Sequence, residues 1–294
     1  MAIGVFDSGV GGLSVHRALV ERFPTADLIY LSDQANMPYG GKPGEEIVAL
    51  TRAGCERLFG DGCDLVILAC NTASAIALRR LQQTWLPGYR RGIGRAVNVL
   101  GIIVPTIEAA TGLPWSHEAE PRVFKDGEKA EQIDVLGIFS TPATAASRVY
   151  EIEIDKRRPD LAVFSEPCPH LARMIESSAP EAELKVQVEG HVAALKRRIG
   201  RHPDRAVLGC THYEIVADLF RAALPAGTPL IHQPGATADA VERYLARHPE
   251  YDPGSSGLRR FLTTGAPGPQ NGLVTTFWGG PLTFEAAQSI SRFA

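Results

Sequence analysis

Several absences narrow this sequence before any motif is read. No apolar run is long enough to span a bilayer, and Met1-Ala2-Ile3-Gly4-Val5-Phe6-Asp7 shows no basic segment followed by an apolar one. The expectation is a cytoplasmic protein without membrane contact. No excess of basic charge exists either: 30 Lys+Arg stand against 33 Asp+Glu, a formal net charge of -3, so nothing in the balance supports a nucleic-acid partner. The five cysteines, Cys55, Cys63, Cys70, Cys168 and Cys210, are odd in number, widely spaced and without a Cys-x-x-Cys pair. That pattern argues against a disulfide framework and a zinc ribbon, and for reduced thiols.

What is present is an ordinary globular composition, 45% apolar over 294 residues, enough for one large or two ordinary domains. Short apolar, β-branched runs alternate with Gly- or Ser-containing turns and longer helical patterns, which predicts an α/β fold with parallel sheets. The expected strands are Ile3 to Phe6, Leu28 to Leu31, Leu65 to Ala69, Leu100 to Val104, Val135 to Phe139, Leu161 to Phe164, Ala206 to Leu208 and Pro229 to His232. Leu13 to Phe23 and Glu45 to Phe59 read as amphipathic crossover helices.

The rhythm is written twice. Gly4-Val5-Phe6-Asp7-Ser8 lies opposite Gly137-Ile138-Phe139-Ser140-Thr141, and Leu28 to Asp33 lies opposite Leu161 to Glu166. Val66 to Thr72 aligns with Ala206 to His212, and Val104-Pro105 with Gln233-Pro234. Such a duplication generally packs about a pseudo-two-fold axis, which would bring Cys70 and Cys210 to equivalent places on opposite sides of one cleft. Pro87 to Asn98 reads as a Gly/Pro-punctuated loop, Gly112 to Asp134 as exposed surface, and the chain from Pro249 onward as turn-rich without assignable chemistry.

Asp7-Ser8-Gly9-Val10-Gly11-Gly12, between a strand and a helix, is a tight βα turn or an anion seat of backbone N–H groups. It is neither a Walker pattern nor a G-x-G-x-x-G fingerprint. Asp7, at a strand's C-terminal edge, favours an active site, because ligands sit there in α/β folds. Cys70 and Cys210 each end a strand and open a helix, a setting that favours the thiolate. One such cysteine would read as a small buried hydrophobe, but two at matched repeat positions read as a functional pair. His212 could shuttle a proton for Cys210, and Asp7 for Cys70. Zinc on Cys168-x-His170 and Cys210-x-His212 is the competing reading, though the spacing fits none of the standard zinc patterns. Tyr39-Gly40 is a packed loop aromatic or a ligand contact; Glu176, in isolation, is a helix-surface carboxylate.

Together, DSGVGG at 7 to 12, Pro38-Tyr39-Gly40, CNTAS at 70 to 74 and GCTHY at 209 to 213 resemble the signature set of the glutamate racemases, in the cofactor-independent aspartate/glutamate racemase superfamily. The likeness runs in order over nearly the whole chain, through Ile102 to Pro105, Cys168-Pro169 and Phe261 to Pro267. It implies a two-base racemisation of glutamate, supplying D-glutamate for peptidoglycan, with Cys70 and Cys210 as paired acid/bases on opposite faces of the α-carbon. Substrate contacts carry over to Asp7, Ser8, Tyr39, Gly40, Asn71, Thr72, Thr211 and His212. Asp7 and His212 would assist the thiols, while Asp33 and Glu176 match further acidic positions. The resemblance implies two α/β domains, 1–99 with 211–294 and 100–210, with the active site in the cleft between them. It requires no cofactor and no metal, takes a small-molecule substrate rather than nucleic acid, and makes a homodimer the candidate assembly.

The chemistry accounts for the residue types. Two facing bases invert a centre directly, whereas one base would have to hold and redeliver the same proton. An α-hydrogen beside a carboxylate is far less acidic than a thiol, so carbanionic charge needs preorganised donors, for which Asn71, Thr72, Thr211 and helix-start N–H groups are candidates. The chain departs from the family pattern at Glu214, where proline is usual, over Leu86 to Asn98, over Gly112 to Asp134 and in its tail. Glu214 adds negative charge close to a motif meant to bind carboxylates. The rival readings are a racemase or epimerase of aspartate or another acidic amino acid, a decarboxylase of the superfamily, a racemase-like binding or regulatory protein, and a redox protein built on the two thiols.

Overall fold

The computed structural model describes residues 1–119, 133–270 and 272–287. Its strands are β1 (Ala2–Asp7), β2 (Leu28–Ser32), β3 (Cys63–Leu68), β4 (Asn98–Gly101), β5 (Val135–Ser140), β6 (Ala162–Pro167), β7 (Arg205–Gly209), β8 (Leu230–Ile231), β9 (Arg259–Thr263), β10 (Gly268–Gln270) and β11 (Leu282–Ala286). They form two sheets, in the orders β10-β11-β9-β2-β1-β3-β4 and β6-β5-β7-β8. Every pairing is parallel except β10 with β11, so the fold is the expected mixed α/β type with parallel sheets. Strands covered on both faces must be apolar throughout, and β1, β2 and β3 are buried from end to end. Among the described residues, no helix is long and apolar enough to cross a membrane.

The chain divides into two compact units, Met1–Ile102 with Gln233–Ala294, and Ile103–His232. Both contain the same strand order: β2-β1-β3-β4 in the first is matched by β6-β5-β7-β8 in the second. The duplication read from the sequence is therefore present as topology. Its crossings also correspond. The helix after β4 (Ile103–Thr111) belongs to the second unit, and the helix after β8 (Gln233–Leu245) belongs to the first. There it lies against the helix Leu13–Arg22, tied by Arg22 to Glu242 at 2.7 Å and to Asp239.

Five sequence expectations need correction. The return to the first unit comes at Gln233 and not at 211, because β8 pairs with β7 and keeps Thr211–His232 in the second unit. Leu100 to Val104 is not one strand: β4 stops at Gly101, and a helix starts at Ile103 with Pro105 in its first turn, where a missing N–H costs nothing. Pro87 to Asn98 is largely helix, Leu86–Ile93, with Pro87 in the first turn and Gly94 closing it at φ 62°. The tail is not featureless, since β9 joins β2 in parallel register, Tyr30 opposite Phe261. The repeat also slips by two residues in its second strand. Asp33 N–H donates to Asp7 O (2.9 Å) as Cys168 N–H donates to Ser140 O (2.7 Å), so Cys168 and not Glu166 is the counterpart of Asp33. Of Gly112 to Asp134, residues 120–132 lie outside the described ones; before them, Trp115 is half-buried beneath the Arg157 guanidinium, 3.5 Å from its ring centre.

Gly54 lies within the helix Gly44–Gly60 that covers β1, and a Cβ there would overlap the Phe6 ring. Glycine to alanine normally stabilises a helix interior by about 1 kcal/mol, but overpacking costs ~1–3 kcal/mol. Gly54→Ala is therefore expected to lower the urea unfolding midpoint, and a raised midpoint would contradict this packing.

Candidate active site

In the first unit the parallel register of β1 with β3, Phe6 opposite Leu68, sets the residues leaving the two strands side by side. Ser8 Oγ lies 3.3 Å from Cys70 Sγ. Cys70 caps the helix Asn71–Ile76, its sulfur accepting the Ala73 N–H at 3.4 Å. Asp7 is fully buried, and its Oδ2 accepts the Gly9 N–H at 3.1 Å. The turn is pinned at Gly9 O, which accepts from Tyr30 Oη (2.9 Å) and Ser32 Oγ (2.5 Å). Gly12 is required where it stands, because a Cβ would sit 2.7 Å from Asp7 Cβ and 2.9 Å from Ala69 Cβ. Glycine here serves close packing of turn against strand ends.

Asp33 follows β2, fully buried, and accepts from Tyr39 Oη (2.6 Å), Thr264 Oγ1 (2.7 Å) and Asn36 Nδ2 (2.9 Å). Tyr39 is itself buried, and burial first, then the Asp33 charge, hold its phenol well above the usual range, so it remains a donor. Gly40 is half-buried beside it, and Thr72 is buried one residue beyond Asn71. Asn71 is buried against Gln233 in a reciprocal pair of amide hydrogen bonds.

The second unit repeats this plan with different chemistry. Cys210 follows β7 as Cys70 follows β3, and Thr141, which follows β5, holds the position of Ser8. Thr141 caps the helix Pro142–Ser147, its Oγ1 accepting the Thr144 N–H at 3.3 Å. Cys210 Sγ lies 3.9 Å from His212 Nδ1, and His212 Nε2 lies 3.0 Å from Glu176 Oε1, at the end of the helix Leu171–Glu176. Thr211, His212 and Tyr213 are buried, and Tyr213 Oη donates to Cys168 O at 3.3 Å. Burial pushes the His212 imidazolium toward neutrality, but the hydrogen bond to Cys210 and the Glu176 carboxylate outweigh it and hold the group up at about 10. Cysteine, imidazole and carboxylate thus stand in line, the arrangement that moves a proton to or from sulfur.

Most residues singled out from the sequence gather in these two sets. Asp7, Ser8, Asp33, Tyr39, Gly40, Cys70, Asn71 and Thr72 belong to the first unit, and Glu176, Cys210, Thr211 and His212 to the second. The alternative zinc reading paired Cys168 with His170, but Cys168 is buried, donating to Glu166 O at 3.6 Å, while His170 is exposed. Among the described residues, no three His, Cys, Asp or Glu side chains cluster as a metal would need. Glu214 is held by His232 Nδ1 at 2.7 Å, so its charge is partnered locally. Sequence reasoning missed Thr141, Gln233 and Thr264. The first was visible opposite Ser8 in the duplication; the other two come from segments whose partners are distant in sequence.

No family model matches the chain. Over 287 residues it is 78% identical to the glutamate racemase of Phenylobacterium zucineum, covering 98% of this chain and 100% of that protein. It is likewise 45% identical to the glutamate racemase of Paracoccus denitrificans over 98% of this chain and 100% of the relative. The chain belongs to the glutamate racemase family, which are amino-acid racemases. Among solved structures, a glutamate racemase of Bacillus anthracis matches with a TM-score of 0.78 and 25% identity, covering 99% of this chain and 98% of that one. The glutamate racemase of Francisella tularensis, solved in complex with D-glutamate, shares the fold at a TM-score of 0.75 and 24% identity over 99% of this chain and 97% of that one.

Because His212 is held above its ordinary 6.5, its charged form contributes stability that is complete below pH 6.5 and lost as pH rises through about 10. NMR titration of the His212 ring should show an imidazolium persisting to about pH 10, and Glu176→Gln should bring that midpoint down. A ring that titrates near pH 6.5 in the unaltered protein would overturn the charged His212–Glu176 pair.

Proposed function

We propose that this protein interconverts L- and D-glutamate without a cofactor, using Cys70 and Cys210 as its two bases and supplying D-glutamate for peptidoglycan in the cytoplasm. The observation that carries the reading is the repeat: in each unit a cysteine follows the third strand and opens a helix, and a hydroxyl residue leaves the first strand with which that third strand pairs. The relatives' name supplies the substrate. In one direction the thiolate of one cysteine takes the α-proton, and the carbanion takes a proton from the thiol of the other. Bond for bond, one S–H forms as one C–H breaks, and one C–H forms as one S–H breaks. The protein is left with its two protonation states exchanged. The reaction asks that the sulfurs reach opposite faces of one α-carbon.

The surroundings supply what each sulfur needs. His212, held charged by its contacts with Cys210 and Glu176, can give a proton to Cys210 or take one from it. In the first unit Ser8 and the Ala73 N–H meet Cys70, and Asp7, the buried carboxylate just before Ser8, is the residue assigned to assist it. Asp33 acts as a positioning residue: its oxygens accept from Tyr39, Asn36 and Thr264, which suits holding the Tyr39 hydroxyl better than exchanging a proton with substrate. Ser8, Thr72 and Thr211, with Asn71 and Tyr39, form the polar set that receives the substrate's carboxylates and ammonium.

Proton NMR in D2O tests the reading. The α-proton signal should vanish from both L- and D-glutamate with no added cofactor, more slowly or not at all from the aspartate enantiomers, and not at all in the Cys70→Ser/Cys210→Ser variant. Exchange that survives the double substitution would remove the thiols from the mechanism. Faster exchange of aspartate than glutamate would assign a different acidic substrate.

A further inference from the structure

Asn71 is the residue next to Cys70, and its side chain is 2% exposed. Its Nδ2 donates to Gln233 Oε1 at 2.7 Å, and Gln233 Nε2 donates back to Asn71 Oδ1 at 3.0 Å. Two primary amides joined in this way form a closed, planar ring of two hydrogen bonds. The ring uses one N–H and one lone pair of the Asn71 amide. Because the amide group is planar, the ring sets the directions in which its polar atoms act. A single hydrogen bond would leave that plane able to turn; two do not.

Gln233 is itself held firmly. It begins the helix Gln233–Leu245, is 1% exposed, and its carbonyl accepts from Thr237 Oγ1 at 2.8 Å. That helix lies on the helix Leu13–Arg22, with Arg22 reaching Glu242 at 2.7 Å. Gln233 is also the first residue of the chain's return to the first unit. The clamp on a residue beside the catalytic thiol thus comes from 162 positions downstream, out of a segment that carries no other candidate site residue.

We propose that Gln233 is a positioning residue of this enzyme, fixing the plane of the Asn71 amide so that Asn71 meets the amino-acid substrate in one orientation. The proposal rests on the functional reading above, in which Asn71 contacts that substrate. It differs from a packing role in its signature. Loss of the ring removes that hold on the plane of the Asn71 amide, which weakens substrate binding in both directions and leaves proton transfer at the sulfurs largely intact, so KM rises while kcat holds.

The test is steady-state kinetics with L- and D-glutamate, alongside melting temperatures, for the unaltered protein, Gln233→Leu, Gln233→Glu, Asn71→Ala and the Asn71→Ala/Gln233→Leu double variant. Gln233→Leu is expected to raise KM about tenfold in both directions with kcat changed less than about threefold. Gln233→Glu keeps an acceptor for Asn71 Nδ2 but loses the donor to Oδ1, and should fall between the two; it carries the test if the leucine variant does not fold. The double variant should be no worse in KM than Asn71→Ala alone, because Gln233 acts through Asn71. Unchanged KM in the Gln233 variants with a lowered melting temperature would overturn the proposal in favour of plain packing. Multiplying effects in the double variant would overturn it too, by showing that Gln233 acts independently. If the unaltered protein does not turn over glutamate at all, the functional reading falls and takes this proposal with it, a result separate from the other two.

Discussion

In a parallel ladder the residue that leaves one strand is set beside the residue that leaves its neighbour, and both then turn into helices whose N–H groups face the same way. In the first unit this register brings Ser8 to within 3.3 Å of Cys70, and in the second it gives Thr141 and Cys210 the same relation to β5 and β7. Neither cysteine needs an unusual backbone to become exposed to chemistry. Strand ends in such sheets are where ligands are received, and the duplicated β2-β1-β3-β4 order supplies that end twice.

Equivalent positions have not been given equivalent surroundings. Cys70 meets the Ser8 hydroxyl and the Ala73 backbone N–H. Cys210 meets an imidazole backed by a carboxylate, a pair that holds a positive charge in a fully buried place. A duplicated scaffold therefore presents two thiols that differ in the groups beside them.

Most of this was legible in the sequence because it is local. Strand, turn and helix start lie within a few residues of each other in Asp7 to Gly12, Cys70 to Ser74 and Gly209 to Tyr213, so these segments could be singled out as candidates before any long-range contact was known. The two-residue slip that pairs Asp33 with Cys168 was hidden, since short apolar strands align equally well in either register and only the ladder decides. Pro87 looked like a loop because its meaning depends on position: in the first turn of Leu86–Ile93 it is tolerated. Thr264 and Gln233 were unreadable for a different reason. Their partners, Asp33 and Asn71, lie 231 and 162 residues away, and no periodicity records such a contact.

The interleaving of the two units has a consequence for how the chain is made. Ile103–His232 is one uninterrupted stretch and holds all four of its strands when residue 232 has emerged from the ribosome. The first unit must wait. Until Arg259–Thr263 appears, the outer edge of β2 is an open row of backbone donors and acceptors, available to any neighbouring strand. The earlier-made half is thus the last to close, and the nascent polypeptide carries its aggregation-prone edge through the synthesis of the whole intervening unit.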